Sequence, residues 1–285
     1  MVTGHLHTTK TIVQKTTTKI IKDTYSKEIS IQFSLDGFSF CICNAATKEL
    51  QHLTSHTFEN SIATPELLLS EIESLFNQNS VLKQEFETVT IIHHNHLSTL
   101  VPTALFNENE LKLYLDYNIK TLTNDFIAFD SLSQLDIKNV YVPYININNY
   151  FFQKFGEFEY KHHSTILIDK LILHSKNNTE KQFFVNVAGA HFDIVVIENS
   201  KLLFYNSFSY KTKEDFIYYI LFTAEQLKLN PEKFLLYFIG DIEKDSEIYN
   251  ITYQYIRNVN FIKLAIPFFD ENNEIASHTY FTTLP

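Results

Sequence analysis

The chain has 285 residues, of which 45% are hydrophobic, and a formal net charge of −10. This length and apolar content suffice for a large buried core and fit two domains of ordinary size. The acidic balance and the single arginine, Arg257, argue against a sequence-independent grip on nucleic acid, which needs clustered basic residues.

The apolar runs of the sequence are far shorter than the roughly 20 residues that span a bilayer. Residues 1–28 lack the apolar centre of a secretion signal, and their lysines alternate with threonines. We therefore expect a cytoplasmic protein without a membrane span. We expect its first 28 residues to form a solvated extension or an edge strand rather than a site for an acidic partner.

Residues 29–94 are predicted to form a three-stranded meander, a helix and a covered strand. Runs of β-branched and aromatic residues favour strands, and they cover 29–35, 38–44, 50–58 and 88–92. Thr64 caps the predicted helix and Pro65 occupies its first position, where a missing N–H costs nothing. Its apolar stripe comprises Leu68, Ile72, Leu75 and Phe76.

Two cysteines, Cys41 and Cys43, share one face of the second strand. Positions two apart on one strand are poor disulfide geometry. A soft metal would need more ligands than one C-x-C pair offers, so reduced structural thiols are the favoured interpretation, with a metal or redox role as the alternative.

Residues 95–139 depart from this pattern and are interpreted as an insertion. Asn107 and Glu110 indicate a helix start, Leu111 and Leu115 an amphipathic helix, and 126–129 a short strand. Residues 140–142 lead to Pro143. Beyond it we expect a helix over 145–155 that ends at Gly156, a strand over 158–162 and a helix over 165–174.

The order of the first segment recurs between residues 181 and 240. Strands are expected over 183–187, 194–197 and 202–208, followed by a helix and a covered strand over 234–239. Thr212 and Asp215 form a capping-box pattern for that helix, and Asn230-Pro231 is expected to end it. A helix over 246–255 and a strand over 259–262 follow, while 264–285 receives no assignment.

This recurrence predicts an α/β protein of two similar lobes in tandem, because a crossover helix lets the last strand run parallel to an earlier one. The expected organisation is a tail over 1–28, a first lobe over 29–178 with the insertion at about 95–139, and a second lobe over 179–285.

Three segments carry a family resemblance: LVPTALFNENEL, KNVYVPYININNYFFQKFGEFEYKHHST, and LFYNSFSYKTKEDFIYYILFTAEQL with the LNPE that follows it. They resemble uncharacterised bacterial proteins labelled domain of unknown function 3822. The twofold pattern also resembles the actin-like ATPase superfamily of sugar kinases, heat-shock chaperone ATPases and actin homologues. The resemblance implies two ribonuclease-H-like lobes, with nucleotide between them.

The superfamily's functional positions, transferred to this sequence, fall mostly on neutral residues. The aspartate of the first lobe corresponds to Ser34, or to Gln32 in a shifted register, and that of the second lobe to Asn186. The resemblance thus implies a degenerate cleft made of Ser34, Asp36, Gly37, Asn186, Gly189, Asp193, Gly240 and Asp241. Ordinary turn residues are the alternative interpretation of the three aspartates.

Serine and asparagine lack the fixed negative charge that binds magnesium. We therefore expect a catalytically inactive actin-like protein, a pseudo-ATPase that binds a protein partner or acts as a scaffold. The first alternative is a nucleotide-binding protein with weak ATPase or kinase activity through rearranged ligands, and the second is a self-assembling protein, as the resemblance to actin-like folds implies. No cofactor is expected beyond weak ATP with magnesium, and the expected state is a monomer or homodimer without nucleic acid.

Five histidines lie at predicted strand ends: His93, His94, His96, His162 and His163. Neighbouring residues on a strand face opposite sides, so we expect at most His94 and His96 to share one side. Hydrogen-bonded polar residues at strand ends are favoured here over a metal site.

Overall fold

The computed structural model describes residues 8–13, 26–58, 61–264 and 277–284. Most of the lysine–threonine tail and most of the unassigned segment 264–285 lie outside these ranges. The chain divides into two compact units. The first comprises the described residues of Met1–Leu132, Asp136–Ile166 and Thr282–Pro285, and the second those of Ser133–Leu135 and Leu167–Phe281. The lobe boundary expected after residue 178 stays a prediction.

The strands of the first unit are β1 (Thr8–Val13), β2 (Lys27–Phe33), β3 (Gly37–Asn44), β4 (Leu50–Thr57), β5 (Thr88–His93), β6 (Ser98–Pro102), β7 (Ala128–Ser131), β8 (Ile137–Tyr141) and β9 (Glu159–His162). Its helices are α1 (Pro65–Gln78), α2 (Leu111–Asp116) and α3 (Ile145–Phe155). A further helix, α4 (His163–His174), begins in the first unit and continues in the second.

The main sheet of the first unit has the order β1-β4-β3-β2-β5-β9. β5 runs parallel to β2, and β9 runs parallel to β5, whereas the meander β2-β3-β4 and the added strand β1 are antiparallel. The edge-strand interpretation of part of the tail is therefore confirmed for Thr8–Val13. The insertion forms its own antiparallel sheet in the order β6-β8-β7.

Helix α1 shows how local sequence and packing agree. The Thr64 hydroxyl accepts a hydrogen bond from the Leu67 amide, and Pro65 is the first helical residue. All four residues of the predicted apolar stripe are buried in the core between the sheet and the helices α1 and α3. Burying each such side chain contributes about 1.5–3 kcal/mol, so tertiary packing rather than helix propensity holds α1 in place.

The second unit contains β10 (Gln182–Ala188), β11 (His191–Glu198), β12 (Lys201–Ser209), α5 (Lys213–Gln226), β13 (Leu235–Gly240), α6 (Glu247–Tyr255) and β14 (Asn258–Phe261). Its sheet order is β12-β11-β10-β13-β14. In chain order, β10, β11, β12, β13 and β14 correspond to β2, β3, β4, β5 and β9. With this correspondence the sheet of the second unit has the order β4-β3-β2-β5-β9, which is the order of the main sheet of the first unit without β1. The predicted fold of two tandem lobes is therefore confirmed.

The capping box of α5 is also confirmed, since Thr212 and Asp215 exchange both hydrogen bonds. The expected end of this helix at Asn230-Pro231 is wrong. The helix ends at Gln226, about one turn earlier, because Lys228 adopts a positive φ of 54° and the Leu229 amide donates to the Ala224 carbonyl. A left-handed residue of this kind closes a helix without proline.

The insertion is richer in strands than its sequence suggests. Strand β6 was not predicted, the strand expected over 126–129 lies at Ala128–Ser131, and β8 begins at Ile137. These strands have four or five residues, too few for a periodic pattern to emerge. They pack around Val101, Leu115 and Val140 as a separate small core.

Candidate functional site

The second unit brings three of the predicted site residues together. Asn186 on β10 lies opposite Asp193 on β11, and its Nδ2 donates to Asp193 Oδ2 at 3.0 Å. The Tyr205 hydroxyl donates to Asp193 Oδ1 at 3.3 Å. Asn186 and Asp193 are both buried, at 6% and 2% exposure. Both carboxylate oxygens of Asp193 therefore accept hydrogen bonds from neutral donors of the same sheet.

Gly240 completes this arrangement at the end of β13, where it pairs with Val187 of β10. Its φ is +83°, and a Cβ there would lie 2.1 Å from the Val187 carbonyl oxygen and 2.9 Å from Asn186 Oδ1. The Asp241 amide donates to the same Val187 carbonyl at 2.8 Å, and Asp241 is exposed. Glycine is thus needed for two strand ends to approach each other.

The turn between β10 and β11 holds Gly189, which is exposed. Its carbonyl accepts a hydrogen bond from the Tyr210 hydroxyl at 2.8 Å. Gly189 and the pair Asn186–Asp193 therefore belong to one hairpin, as expected from the sequence.

In the first unit, Ser34, Asp36 and Gly37 form one closed turn between β2 and β3. The amides of Asp36 and Gly37 both donate to Ser34 Oγ at 3.1 Å, and the Ser34 amide donates to the Gly37 carbonyl at 2.9 Å. Both turn amides therefore donate to a hydroxyl of the same turn.

Gln32, the other position that corresponds to the aspartate of the first lobe, contacts the end of the chain. The Thr282 hydroxyl donates to Gln32 Oε1 at 2.6 Å. Cys41 donates from Sγ to the Thr283 carbonyl at 3.0 Å, and both cysteines are buried thiols. Thr282 and Thr283 are thereby held against β2 and β3.

A buried polar network around Asp130 was missed at the level of sequence. Asp130 Oδ1 accepts from the Tyr141 hydroxyl at 3.0 Å, while Oδ2 accepts from the His162 amide at 2.9 Å and the Thr165 hydroxyl at 2.7 Å. Burial raises the pKa of this carboxyl, and the hydrogen bonds from His162, Thr165 and Tyr141 oppose that rise. Burial, with the nearby Asp130 charge, also raises the pKa of the Tyr141 hydroxyl.

His162 belongs to the same network as a neutral imidazole. Its Nε2 lies 3.0 Å from the Asn95 carbonyl oxygen, which can only accept, so Nε2 carries the proton. Its Nδ1 then accepts from the Ser164 hydroxyl at 2.7 Å. Burial lowers the pKa of His162 well below its usual range, and the neighbouring histidines add to the effect.

His93 is fully buried beside α3. The Tyr144 amide donates to His93 Nδ1 at 3.3 Å, so Nε2 carries the proton and donates to Asn148 Oδ1 at 2.9 Å. Burial lowers the pKa of His93 to about 4, and the Asn148 contact opposes the shift. His93 is therefore neutral at physiological pH.

The expectation that at most His94 and His96 share one side is incomplete. The rings of His94 and His163 stack with centroids 3.9 Å apart, and those of His162 and His163 are 4.5 Å apart. The parallel pairing of β5 with β9 places His93 opposite His162 and brings the following residues together. The prediction that the histidines at strand ends are hydrogen-bonded is confirmed for His93 and His162.

This network can position elements, but its geometry does not suit proton transfer. Ser164 and His162 are fully buried, and the second nitrogen of His162 is engaged by a backbone carbonyl rather than a carboxylate. The network joins β7 and β8 of the insertion to the end of β9 and the first turn of α4. A satisfied buried network of this kind fixes one arrangement of its elements.

Known structures share the architecture of the chain. A protein with actin-like ATPase fold and unknown function from Bacteroides thetaiotaomicron VPI-5482 has a TM-score of 0.75 at 24% identity, over 84% of this chain and 91% of that chain. The PilM–PilN type IV pilus biogenesis complex has a TM-score of 0.56 at 12% identity, over 83% of this chain and 88% of that chain. At these identities the likeness shows the fold alone. No curated protein matches the chain.

Among the helices that the structure describes, none is both long enough and apolar enough to cross a membrane. The family model described as "Protein of unknown function (DUF3822)" matches residues 16–259. The sheet orders and the structural similarity both agree with the resemblance noted in the sequence. The chain therefore belongs to this family of unknown function, and it has the actin-like ATPase fold.

Proposed function

We propose that the chain is a catalytically inactive actin-like protein that works by binding a protein partner. The proposal has two parts. The first is the loss of phosphoryl-transfer chemistry, and the second is the use of an exposed apolar surface for recognition.

The positions at which the superfamily uses charged ligands support the first part. Ser34 and Asn186 are neutral, and the oxygens of Asp193 already accept from Asn186 and Tyr205. Magnesium binding and phosphoryl transfer depend on fixed carboxylates, and removing such a contact typically costs several kcal/mol of transition-state stabilisation. Ser34 and Asn186 therefore do not supply the two carboxylates that the superfamily uses beside a magnesium–nucleotide group.

The turn of the first unit supports the same conclusion. A phosphate is bound by backbone amides that point out of a glycine-containing turn. Here the amides of Asp36 and Gly37 donate to Ser34 Oγ instead. A phosphate would have to displace an internal hydroxyl from two hydrogen bonds, each worth about 1 kcal/mol.

The proposal that the chain binds a protein partner rests on exposed apolar side chains of the insertion. Five large apolar side chains between residues 105 and 126 are 49–78% exposed: Leu105, Leu113, Tyr117, Leu122 and Phe126. Leu113 and Tyr117 lie four residues apart and hence on one side of α2 and its end. Concentrations of exposed apolar side chains are typical of sites for protein binding.

The similarity to the PilM–PilN structure also supports the proposal of partner binding. The similar PilM–PilN structure is described as a pilus biogenesis complex. A protein of this architecture can thus serve an assembly in which a second protein is bound.

Affinity capture from cells that produce the chain natively tests the partner. We expect a protein retained by the wild-type chain and lost in Leu113→Glu/Tyr117→Glu, because charges on this surface oppose burial. Leu67→Glu on α1 is the matched control, since Leu67 is 55% exposed but lies outside the insertion. Equal retention by all three proteins, or no retained protein, would count against binding through the insertion.

A further inference from the structure

The segment Thr282–Leu284, which we call the latch, joins the first unit as a separate piece of chain. The division into two units assigns it to the first unit, whose preceding residue in the chain is Ile166. All three residues are buried, Thr283 and Leu284 at 1% exposure. The latch therefore contacts the first unit across a long stretch of sequence, as a bound peptide would.

The latch lies on the face of β2 and β3 that is opposite the helical core. Gln32 and Ser39 pair directly across the two strands, and Cys41 follows Ser39 by two residues, so all three side chains share one face. The alternate positions, such as the opposed pair Ile31 and Phe40, belong to the core that contains residues of α1 and α3. The hairpin thus has an apolar face for the helices and a polar face for the latch.

Each of the three side chains on this polar face contacts a threonine of the latch. The Thr282 hydroxyl donates to Gln32 Oε1 at 2.6 Å. The hydroxyls of Ser39 and Thr283 are hydrogen-bonded at 3.4 Å, and Cys41 Sγ donates to the Thr283 carbonyl oxygen at 3.0 Å. The face therefore recognises two adjacent hydroxyl side chains and the backbone of the second.

Apolar side chains flank these polar groups on the same face. Leu53 of β4 lies directly opposite Cys41, and Ile92 of β5 lies opposite Gln32. Both are buried, and so is Leu284, the residue that follows the two threonines. A few placed polar groups among apolar ones are typical of a ligand site. The face thus suits a segment with two hydroxyl side chains followed by an apolar one.

We propose that this face of β2 and β3 is a peptide-binding site that the latch occupies in the isolated chain. The partner it fits is an extended segment with two adjacent hydroxyl side chains followed by an apolar residue, which replaces the latch after the latch opens.

The way the latch is attached makes such an opening local. Among the residues that the structure describes, the latch belongs to no strand of the sheet, so no β-ladder attaches it. Short segments of this kind open while the core of a domain stays folded. The site lies outside the insertion, so this proposal does not rest on partner binding there.

Alkylation of Cys41 in the intact chain tests local opening, because this buried thiol donates to the latch. In a Cys43→Ala background, Thr282→Val removes one hydroxyl contact of the latch and should speed the alkylation of Cys41 roughly fivefold. Ile72→Val is the matched control, since Ile72 is buried on α1 and its truncation lowers global stability away from the latch. This control should leave the rate unchanged. Alkylation that follows global stability in both variants would overturn the proposal.

A chain that ends at Phe281, in the same background, tests the exchange itself. Cys41 should be alkylated quickly there, and the peptide YFTTLP, which has the sequence of residues 280–285, should protect it saturably. The matched peptide YFVVLP lacks both hydroxyls and should bind roughly 25-fold more weakly. Equal protection by the two peptides, no protection by either, or a shortened chain that does not fold would contradict a separable latch. None of these results depends on nucleotide or on a partner of the insertion.

Discussion

At the scale of single residues, two positions of the candidate site, Ser34 and Asn186, carry neutral side chains that form local hydrogen bonds. Ser34 Oγ accepts from two amides of its own turn, and Asn186 donates to Asp193. Each contact is internal to one hairpin. These hydrogen bonds stabilise the two hairpins in which the residues lie.

His93 makes a residue-scale prediction about pH. Its pKa is about 4 in the folded chain and 6.5 in an ordinary environment. Between pH 6.5 and 4 the unfolded chain therefore binds more protons, so the free energy of unfolding falls as the pH falls through this window. The contribution of His93 is on the order of 3 kcal/mol at the acid end.

Chemical denaturation of wild type and His93→Gln between pH 7 and 4 measures this effect. Glutamine can still accept from the Tyr144 amide and donate to Asn148, but it does not titrate. The variant should be less stable near pH 7 and lose less stability on acidification. Asp130, whose raised pKa gives the opposite slope, is present in both proteins and cancels in the comparison. Parallel pH curves would show that His93 is not a buried neutral imidazole.

At the scale of elements, Gly240 controls the approach of β13 to β10. Gly240→Ala places a methyl group 2.1 Å from the Val187 carbonyl oxygen at a φ of +83°. We expect a loss of about 2–5 kcal/mol in unfolding free energy, from a left-handed alanine and from overpacking.

Gly156 provides the control for this prediction. Its φ is +74°, but a Cβ there meets no atom within 4 Å. Gly156→Ala should therefore lose only the conformational part, about 1–3 kcal/mol for an alanine held at a φ of 74° and a ψ of −130°. Urea denaturation of both variants gives the comparison, and equal losses would mean that close packing at Gly240 contributes nothing.

Most elements were predictable because their signals are local. Thr64 with Pro65, Thr212 with Asp215, and Gly156 each fix a helix end through contacts within a few residues. The end of α5 was missed because it rests on the left-handed conformation of Lys228, a residue type without a turn preference. The strands of the insertion were missed or misplaced because they are short.

The candidate site was predictable only in part, for a related reason. The hairpin residues Asn186, Gly189 and Asp193 lie near each other in sequence, and a repeat places them at equivalent points. In the Asp130 network, Asp130 of β7 accepts hydrogen bonds from His162 and Thr165, which lie more than 30 positions further along the chain. Periodicity within one strand carries no information about such contacts.

At the scale of the whole molecule, two units with the same strand order carry different additions. The first unit gains β1 and the insertion with its exposed apolar side chains, and neither has a counterpart in the sheet described for the second unit. The shared order identifies the actin-like fold. The proposed partner binding lies in one of these additions, the insertion, since function belongs to sites rather than to a fold.

The central claim is that this actin-like chain has no working magnesium–nucleotide site. Thermal unfolding of the intact chain, titrated with ATP and magnesium, tests it most directly, because a ligand that binds only the folded state raises the melting temperature with its concentration. We predict no saturable rise. A rise that saturates with MgATP in wild type and disappears in Gly189→Val would contradict the claim and favour a weak nucleotide-binding protein with rearranged ligands.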